Sequence, residues 1–300
     1  MMQTAPAARR FVKALRATEK RMEKSLSKNK KMNYSSMKLP SFLSKWQYRC
    51  LLYILILPLL ATFISCATIE KQLFPTPPPT PPAGNCQLSS NGETLDALWM
   101  EGKDGMPVVL FSHGNYQRIS DIKLFCKNFQ MHGYGIFAYD YAGYGASTGK
   151  ASSKQSCHDV EAAYDFLVKE KNVQPEDIVV IGYSVGSGPS CHLVSKHPAK
   201  ALVLCAPFAS AVHVVLPFSL PGDKFLNYRL LAKSKTPVLI FHGEKDNVIP
   251  VRNSKLLYKK AQGRKRLVLR PETDHNDLFV RLGDDFWKEM ADFLNDRQEQ

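Results

Sequence analysis

From residue 86 onward the sequence lacks every cysteine spacing that holds a metal ion. Cys86, Cys126, Cys157, Cys191 and Cys205 form no C-x-x-C and no C-x-x-x-H, which argues against a thiolate metal site. Their spacing also chooses no disulfide among Cys86, Cys126 and Cys157, while Cys205, inside the apolar run ALVLCAPF, reads as a buried thiol. Acidic residues are scarce at the start of the chain. Residues 1–50 hold only Glu19 and Glu23 against 13 Lys and Arg, a net charge of +11 out of +13 for the whole chain, leaving +2 for the other 250 residues. A nucleic-acid-binding domain carries its basic excess on the folded part. Here the excess precedes that part, so nucleic acid is not an expected partner.

Behind the basic tail lies a run without charge, CLLYILILPLLATFISCAT, Cys50 to Thr68. It has about the 18–20 residues needed to cross a hydrocarbon core. Basic residues ahead of such a run favour the non-cytoplasmic side for the domain behind it. Two anchors fit. The run can be an uncleaved signal anchor, or FISC can end a lipoprotein signal with Cys66 as the lipidated residue. Phe63 departs from the usual Leu of that pattern, and the 36 residues before Met37 overrun an ordinary signal unless translation starts at Met37. Either anchor makes the membrane a partner. The chain thus divides into a basic tail (1–49), a signal or anchor segment (50–68), a Pro-rich linker (69–85) and one domain (86–300). FPTPPPTPPAGN in the linker predicts an extended spacer of about 3 Å per residue.

From Pro107 the pattern alternates. PVVLFSHG, GIFAYDY, IVVIG, ALVLCAP, PVLIFHG and RLVLR are short, continuous apolar runs, the signature of strands buried on both faces. Helical patterns over Asp121–His132 and Ser153–Lys171 lie between them. The alternation predicts an α/β domain with a mostly parallel sheet. In such sheets functional groups gather at the carboxyl ends of the strands.

One of those ends reads GYSVGSG. Ser184 sits between Gly182 and Gly186 in the pattern G-x-S-x-G, after a strand and before a helical run to about His197. That context predicts a tight turn presenting the hydroxyl, with the free N–H groups of a helix start nearby for a developing anion. A serine hydroxyl is a poor nucleophile until a base takes its proton. Histidine has a pKa near the working pH for that task, and a carboxylate fixes its tautomer. Asp246 follows Ser184 by 62 residues and His275 follows Asp246 by 29, each after a strand end. Asp140 is the competing carboxylate. His113 and His242, in HG turns, read as structural, and Tyr141, Tyr144 and Ser147 read as shaping the DYAGYGAS turn.

Taken together, SHGN, DYAGYGASTG, GYSVGSG, HGEKDNVIP and DHNDLF resemble the α/β-hydrolases. They are most similar to the small membrane-associated serine hydrolases that include protein depalmitoylases, over about Glu93 to Phe293. The resemblance implies the α/β-hydrolase fold with a minimal lid, a Ser184–Asp246–His275 triad, and no cofactor. It also implies an oxyanion hole from the backbone N–H groups of Asn115, or its neighbour Tyr116, and Val185. The expected substrate is an acyl ester or thioester, as a small molecule, a lipid or an acylated protein. An amidase or peptidase with the same triad, and a non-catalytic binding module on the same fold, are the alternatives. Thr273-Asp274 stands where that family usually has glycine before the catalytic histidine. The stretch Ser210 to Lys235 is too short for a large cap, and its apolar residues can serve either as core or as the wall of an acyl groove.

Overall fold

The computed structural model describes residues 69–296, all within the compact unit Leu59–Gln300. The expectations for the basic tail, the apolar run and Cys66 lie outside the described residues. Among the described residues no helix is long and apolar enough to cross a membrane.

Eight strands form one sheet: β1 (Cys86–Ser90), β2 (Glu93–Met100), β3 (Val108–Ser112), β4 (Gly135–Tyr139), β5 (Ile178–Tyr183), β6 (Ala201–Cys205), β7 (Val238–Gly243) and β8 (Lys265–Arg270). Their spatial order is β1-β2-β4-β3-β5-β6-β7-β8. The pairs β1/β2 and β2/β4 are antiparallel and the remaining five are parallel. Among the described residues a helical turn covers 69–73, and these helices accompany the sheet: α1 (Ile119–Met131), α2 (Ser153–Lys169), α3 (Ser187–Val194), α4 (Asn227–Leu231), α5 (Arg252–Lys260), α6 (Leu278–Leu282) and α7 (Asp284–Asn295).

The apolar runs are continuous because each central strand feeds two cores. Ile178 and Val180 of β5 enter one core with Val160, Leu167 and Leu193 of α2 and α3. Val179 and Ile181 enter the other with Ile122, Phe129 and Phe286 of α1 and α7. Side chains alternate across a strand, and full burial of each is worth about 1.5–3 kcal/mol, so a polar residue at either set of positions would expose one core. All six expected strands are present. β1 and β2 add to them without a matching signal, because CQLSS and ETLDALWM lack a continuous apolar run. β8 departs from the expectation of burial on both faces. It forms the sheet edge, every residue in it is half-buried, and its Lys and Arg suit a strand with one open side.

The linker 69–85 lies along the domain. Phe74 is buried, the Pro78 carbonyl accepts from Arg118 Nη1 at 3.3 Å, Thr80 N donates to the Gly145 carbonyl at 3.0 Å, and Ala83 N and Gly84 N donate to Asp96 Oδ2. Proline lacks an N–H but keeps its carbonyl, so an extended Pro-rich segment still offers acceptors to a neighbouring surface. Cys86, Cys126 and Cys157 are free thiols. Cys126 lies in the core on one face of the sheet while Cys86 packs against the other.

The chain passes from β3 to β4 on one side and then returns to β5 on the other, so β3 lies beside both. This reversal opens a crevice at the carboxyl ends of β3 and β5. Ser112 pairs with Gly182 and Tyr183 with Cys205, so the turn after β3 and the turn after β5 end level with each other.

Candidate active site

Ser184 to Gly186 form one 3-10 turn between β5 and α3. Ser184 holds φ at +52°, a left-handed conformation that costs a residue with a Cβ about 1–2 kcal/mol. Tight packing enforces it. A Cβ on Gly182 would stand 2.6 Å from the Gly186 carbonyl oxygen, and one on Gly186 would stand 2.0 Å from the Ser112 carbonyl oxygen. Both glycines of G-x-S-x-G are therefore required by close backbone approach. Ser187 Oγ closes the turn by donating to the Ser184 carbonyl at 2.7 Å.

Two other strand ends supply the partners. Ser184 Oγ lies 3.0 Å from His275 Nε2, and His275 Nδ1 lies 2.7 Å from Asp246 Oδ2. The other oxygen of Asp246 accepts from Val248 N at 2.9 Å and Ile249 N at 2.6 Å. Burial pushes the Asp246 carboxyl up, but hydrogen bonds from His242 and His275, the His275 charge and the Ile249 N–H outweigh it and hold the group well below the ordinary carboxylate range. An ionised carboxylate can only accept. His275 Nδ1 therefore carries the proton, and Nε2 presents its lone pair to the serine.

Asp140 does not join this group. Its Oδ1 accepts from Ile119 N, at the start of α1, at 2.8 Å, and its Oδ2 stands where a Cβ on Gly145 would be 1.9 Å away. His113 is buried 3.5 Å from Asp140, as a structural histidine would be. His242 does more than a structural reading gives it. Its Nδ1 meets Ser254 Oγ at 2.6 Å and its Nε2 meets the Ile249 carbonyl at 2.8 Å, yet Nε2 is also 3.2 Å from Asp246 Oδ2. The DYAGYGAS turn is built as its residues suggest: Ser147 Oγ donates to the Asp140 carbonyl and accepts from Asp96 N.

The loop that departs from glycine before His275 is held by side chains. Asp274 Oδ1 accepts from His275 N at 2.6 Å and Asn247 N at 3.0 Å, and its Oδ2 accepts from Asn247 Nδ2 at 2.8 Å. This carboxylate fastens the His275 loop to the Asp246 loop. Tyr183 carries no signal in the sequence. Its ring stacks on His275 at 5.5 Å between centroids, and its hydroxyl donates to the His275 carbonyl at 3.2 Å.

Asn115 lies in the turn after β3, whose last residue, Ser112, pairs with Gly182 of β5. Tyr116 takes φ +63° to complete the turn that carries Asn115, and Val185 follows Ser184 within the 3-10 turn. Backbone N–H groups in the turn after β3 and directly after the nucleophile suit a carbonyl oxygen gaining negative charge. The stretch expected as a lid is a 3-10 turn at Val212–Val214 followed by α4. Within it Val212 is buried, while Val215, Phe218 and Leu220 are exposed.

Comparison with known proteins agrees with this architecture. The sequence pattern of the family described as "Serine aminopeptidase, S33" matches residues 105–224. A "Putative alpha/beta hydrolase L404" from Acanthamoeba polyphaga mimivirus is 31% identical over 70% of this chain and 83% of its own length. "Alpha/beta hydrolase domain-containing protein aho-3" from Caenorhabditis elegans is 34% identical over 62% of this chain, which spans 57% of that relative. "Alpha/beta hydrolase domain-containing protein 17B" from Homo sapiens is 31% identical over 62% of this chain and 66% of its own. Among solved structures, Est1E from Butyrivibrio proteoclasticus with bound ferulic acid aligns with a TM-score of 0.56 at 18% identity, covering 69% of this chain and all of that one. The esterase EaEST from Exiguobacterium antarcticum gives 0.57 at 17%, covering 70% and 99%. These two likenesses concern the fold. By its sheet and by the extent of its likeness to the viral relative, the chain belongs to the α/β-hydrolase superfamily.

Proposed function

We propose that this chain is a membrane-tethered serine hydrolase that cleaves carboxylic esters or thioesters through an acyl-enzyme. The observation that carries the reading is the continuous hydrogen-bonded series Ser184–His275–Asp246, with Ser184 set on a left-handed turn. Ser184 Oγ attacks the acyl carbon as its proton passes to His275 Nε2, and Asp246 stabilises the resulting imidazolium. The carbonyl oxygen becomes an oxyanion that accepts from Asn115 N and Val185 N, each worth about 3 kcal/mol. Collapse expels the alcohol or thiol, which takes the proton from His275. Water then gives a proton to His275, attacks the acyl-serine, and releases the acid with Ser184 restored.

Acylated lipids or proteins suit this site on two grounds. The motifs resemble depalmitoylases, and Val215, Phe218 and Leu220 lie exposed on the segment after β6, an apolar surface a fatty chain can use. The tether is the run Cys50–Thr68, whose length and lack of charge suit a bilayer. Two structural neighbours are named as an esterase or carry an aromatic acid, which is in keeping with an ester substrate. Peptide cleavage is the second reading, supported by the description of the matched family pattern.

A fluorophosphonate probe on the full chain tests the nucleophile: labelling lost in Ser184→Ala supports the reading, and labelling that persists would sink it. Thioesters and esters of graded chain length, run beside aminoacyl p-nitroanilides, separate the two readings by kcat/KM.

A further inference from the structure

Residues 69–74 precede the domain in sequence but touch the oxyanion turn. Asn115 Nδ2 donates to the Gln72 carbonyl at 2.9 Å, while Asn115 Oδ1 is buried without a partner among the described residues. The grip of Gln72 is therefore the amide's one described hydrogen bond. Gln72 is itself fixed from both sides. Two residues earlier, the Glu70 carboxylate accepts from Ser153 N at 2.9 Å and from Ser153 Oγ, at the start of α2, and stands 3.4 Å from Lys224 Nζ. Two residues later, Phe74 is 5% exposed. Its ring meets Tyr141 edge-on at 5.7 Å and Phe225 at 6.2 Å.

Both aromatic contacts lead back to the site. Tyr141 donates its hydroxyl to the His113 carbonyl at 2.8 Å, two residues before Asn115. The Phe225 ring lies where a Cβ on Gly188, in the helix after Ser184, would approach within 2.6 Å. The segment thus bridges the turn after β3, the helix after the nucleophile and the segment after β6.

We propose that residues 69–74 act as a positioning strap for the active site: by holding the Asn115 carboxamide through the Gln72 carbonyl, they aim the Asn115 backbone N–H at the developing oxyanion. The inference rests on the reading of Ser184 as an acyl-transfer nucleophile. Its physical basis is tolerance. An oxyanion donor works within about 2.7–3.1 Å of the oxygen, and a displacement of about 1 Å costs on the order of a hundredfold in rate.

The test uses the full chain with p-nitrophenyl butyrate, a trifluoromethyl ketone whose serine hemiketal places an oxyanion on the same donors, and thermal unfolding. Phe74→Ala and Asn115→Ala are expected to lower kcat about 10- to 100-fold, to leave KM within about threefold, and to weaken the ketone in proportion to kcat. Phe74→Leu should restore most of the loss. The double variant Phe74→Ala/Asn115→Ala should be no slower than the worse single one, because both remove the same grip. Unchanged kcat in the single variants, or losses that multiply in the double, would overturn the strap. If Phe74→Ala fails to fold, Glu70→Gln paired with Asn115→Ala carries the same comparison. Turnover that survives Ser184→Ala would instead overturn the hydrolase mechanism; turnover that needs Ser184 but ignores the strap variants overturns the strap alone.

Discussion

His242 Nε2 stands 3.2 Å from Asp246 Oδ2, the oxygen that faces His275 Nδ1 at 2.7 Å. One carboxylate oxygen is thus placed between two imidazoles, and the backbone N–H groups of Val248 and Ile249 hold the other. Asp246 is over-determined in position, which favours a fixed His275 tautomer.

Removing that carboxylate while keeping its shape should cost rate before fold. Asp246→Asn is expected to lower kcat about 10³- to 10⁴-fold, since the amide can turn its N–H toward His275 and impose the wrong tautomer. Asp140→Asn should behave in the opposite way, losing stability through the Ile119 N–H while keeping most of its turnover. Circular dichroism and steady-state kinetics on the pair decide which aspartate serves the histidine.

Ser184→Ala and His275→Ala should each lower kcat by several orders of magnitude, and the double variant should be hardly worse. Groups that act as one relay fail as one. Full additivity in p-nitrophenyl ester kinetics would show that the two residues act separately.

The depressed pKa of Asp246 has a signed consequence for stability. The unfolded carboxyl titrates near 3.9 and the folded one lower, so the stabilising contribution is complete above the unfolded value. It is lost as pH falls through about 4 toward the folded pKa, because the unfolded state binds the proton first. Urea midpoints should fall more steeply below about pH 4 in the wild type than in Asp246→Asn. Parallel curves would remove Asp246 from the acid transition.

Gly186→Ala sets a methyl group where it would stand 2.0 Å from the Ser112 carbonyl oxygen. Backbone cannot yield as a flexible side chain does, so the variant should lose about 2 kcal/mol or more of stability together with fluorophosphonate labelling. A thermal midpoint equal to wild type would mean that the β3 and β5 turns tolerate separation.

The proposed anchor is tested by mass. If Cys66 carries lipid, the mature chain lacks residues 1–65, and Cys66→Ala accumulates a heavier precursor. Peptides from Arg10 to Lys38 in the mature protein, with an unmodified Cys66, would identify an uncleaved helix instead. The active-site geometry is compatible with either outcome.

The apolar runs marked all six parallel strands, the inner five because strands buried on both faces leave continuous runs, and β8 although it is the half-buried edge. The sequence by itself also placed Ser184, Asp246 and His275 at strand ends, since a parallel sheet brings those ends to one edge whatever the loops between them do. Tertiary structure alone decided how the ends are tied together. Asp274 ties the His275 loop to Asn247 across 27 residues of chain and Tyr183 reaches the His275 carbonyl across 92, and neither leaves a local pattern. Nor could composition show where the Pro-rich segment lies. Its prolines fix an extended shape, but Glu70, Gln72 and Phe74 find partners only after folding has assembled Ser153, Asn115, Tyr141 and Phe225 on one surface. Backbone preference acts over a few residues, whereas a hydrogen bond or a ring contact depends only on distance in space.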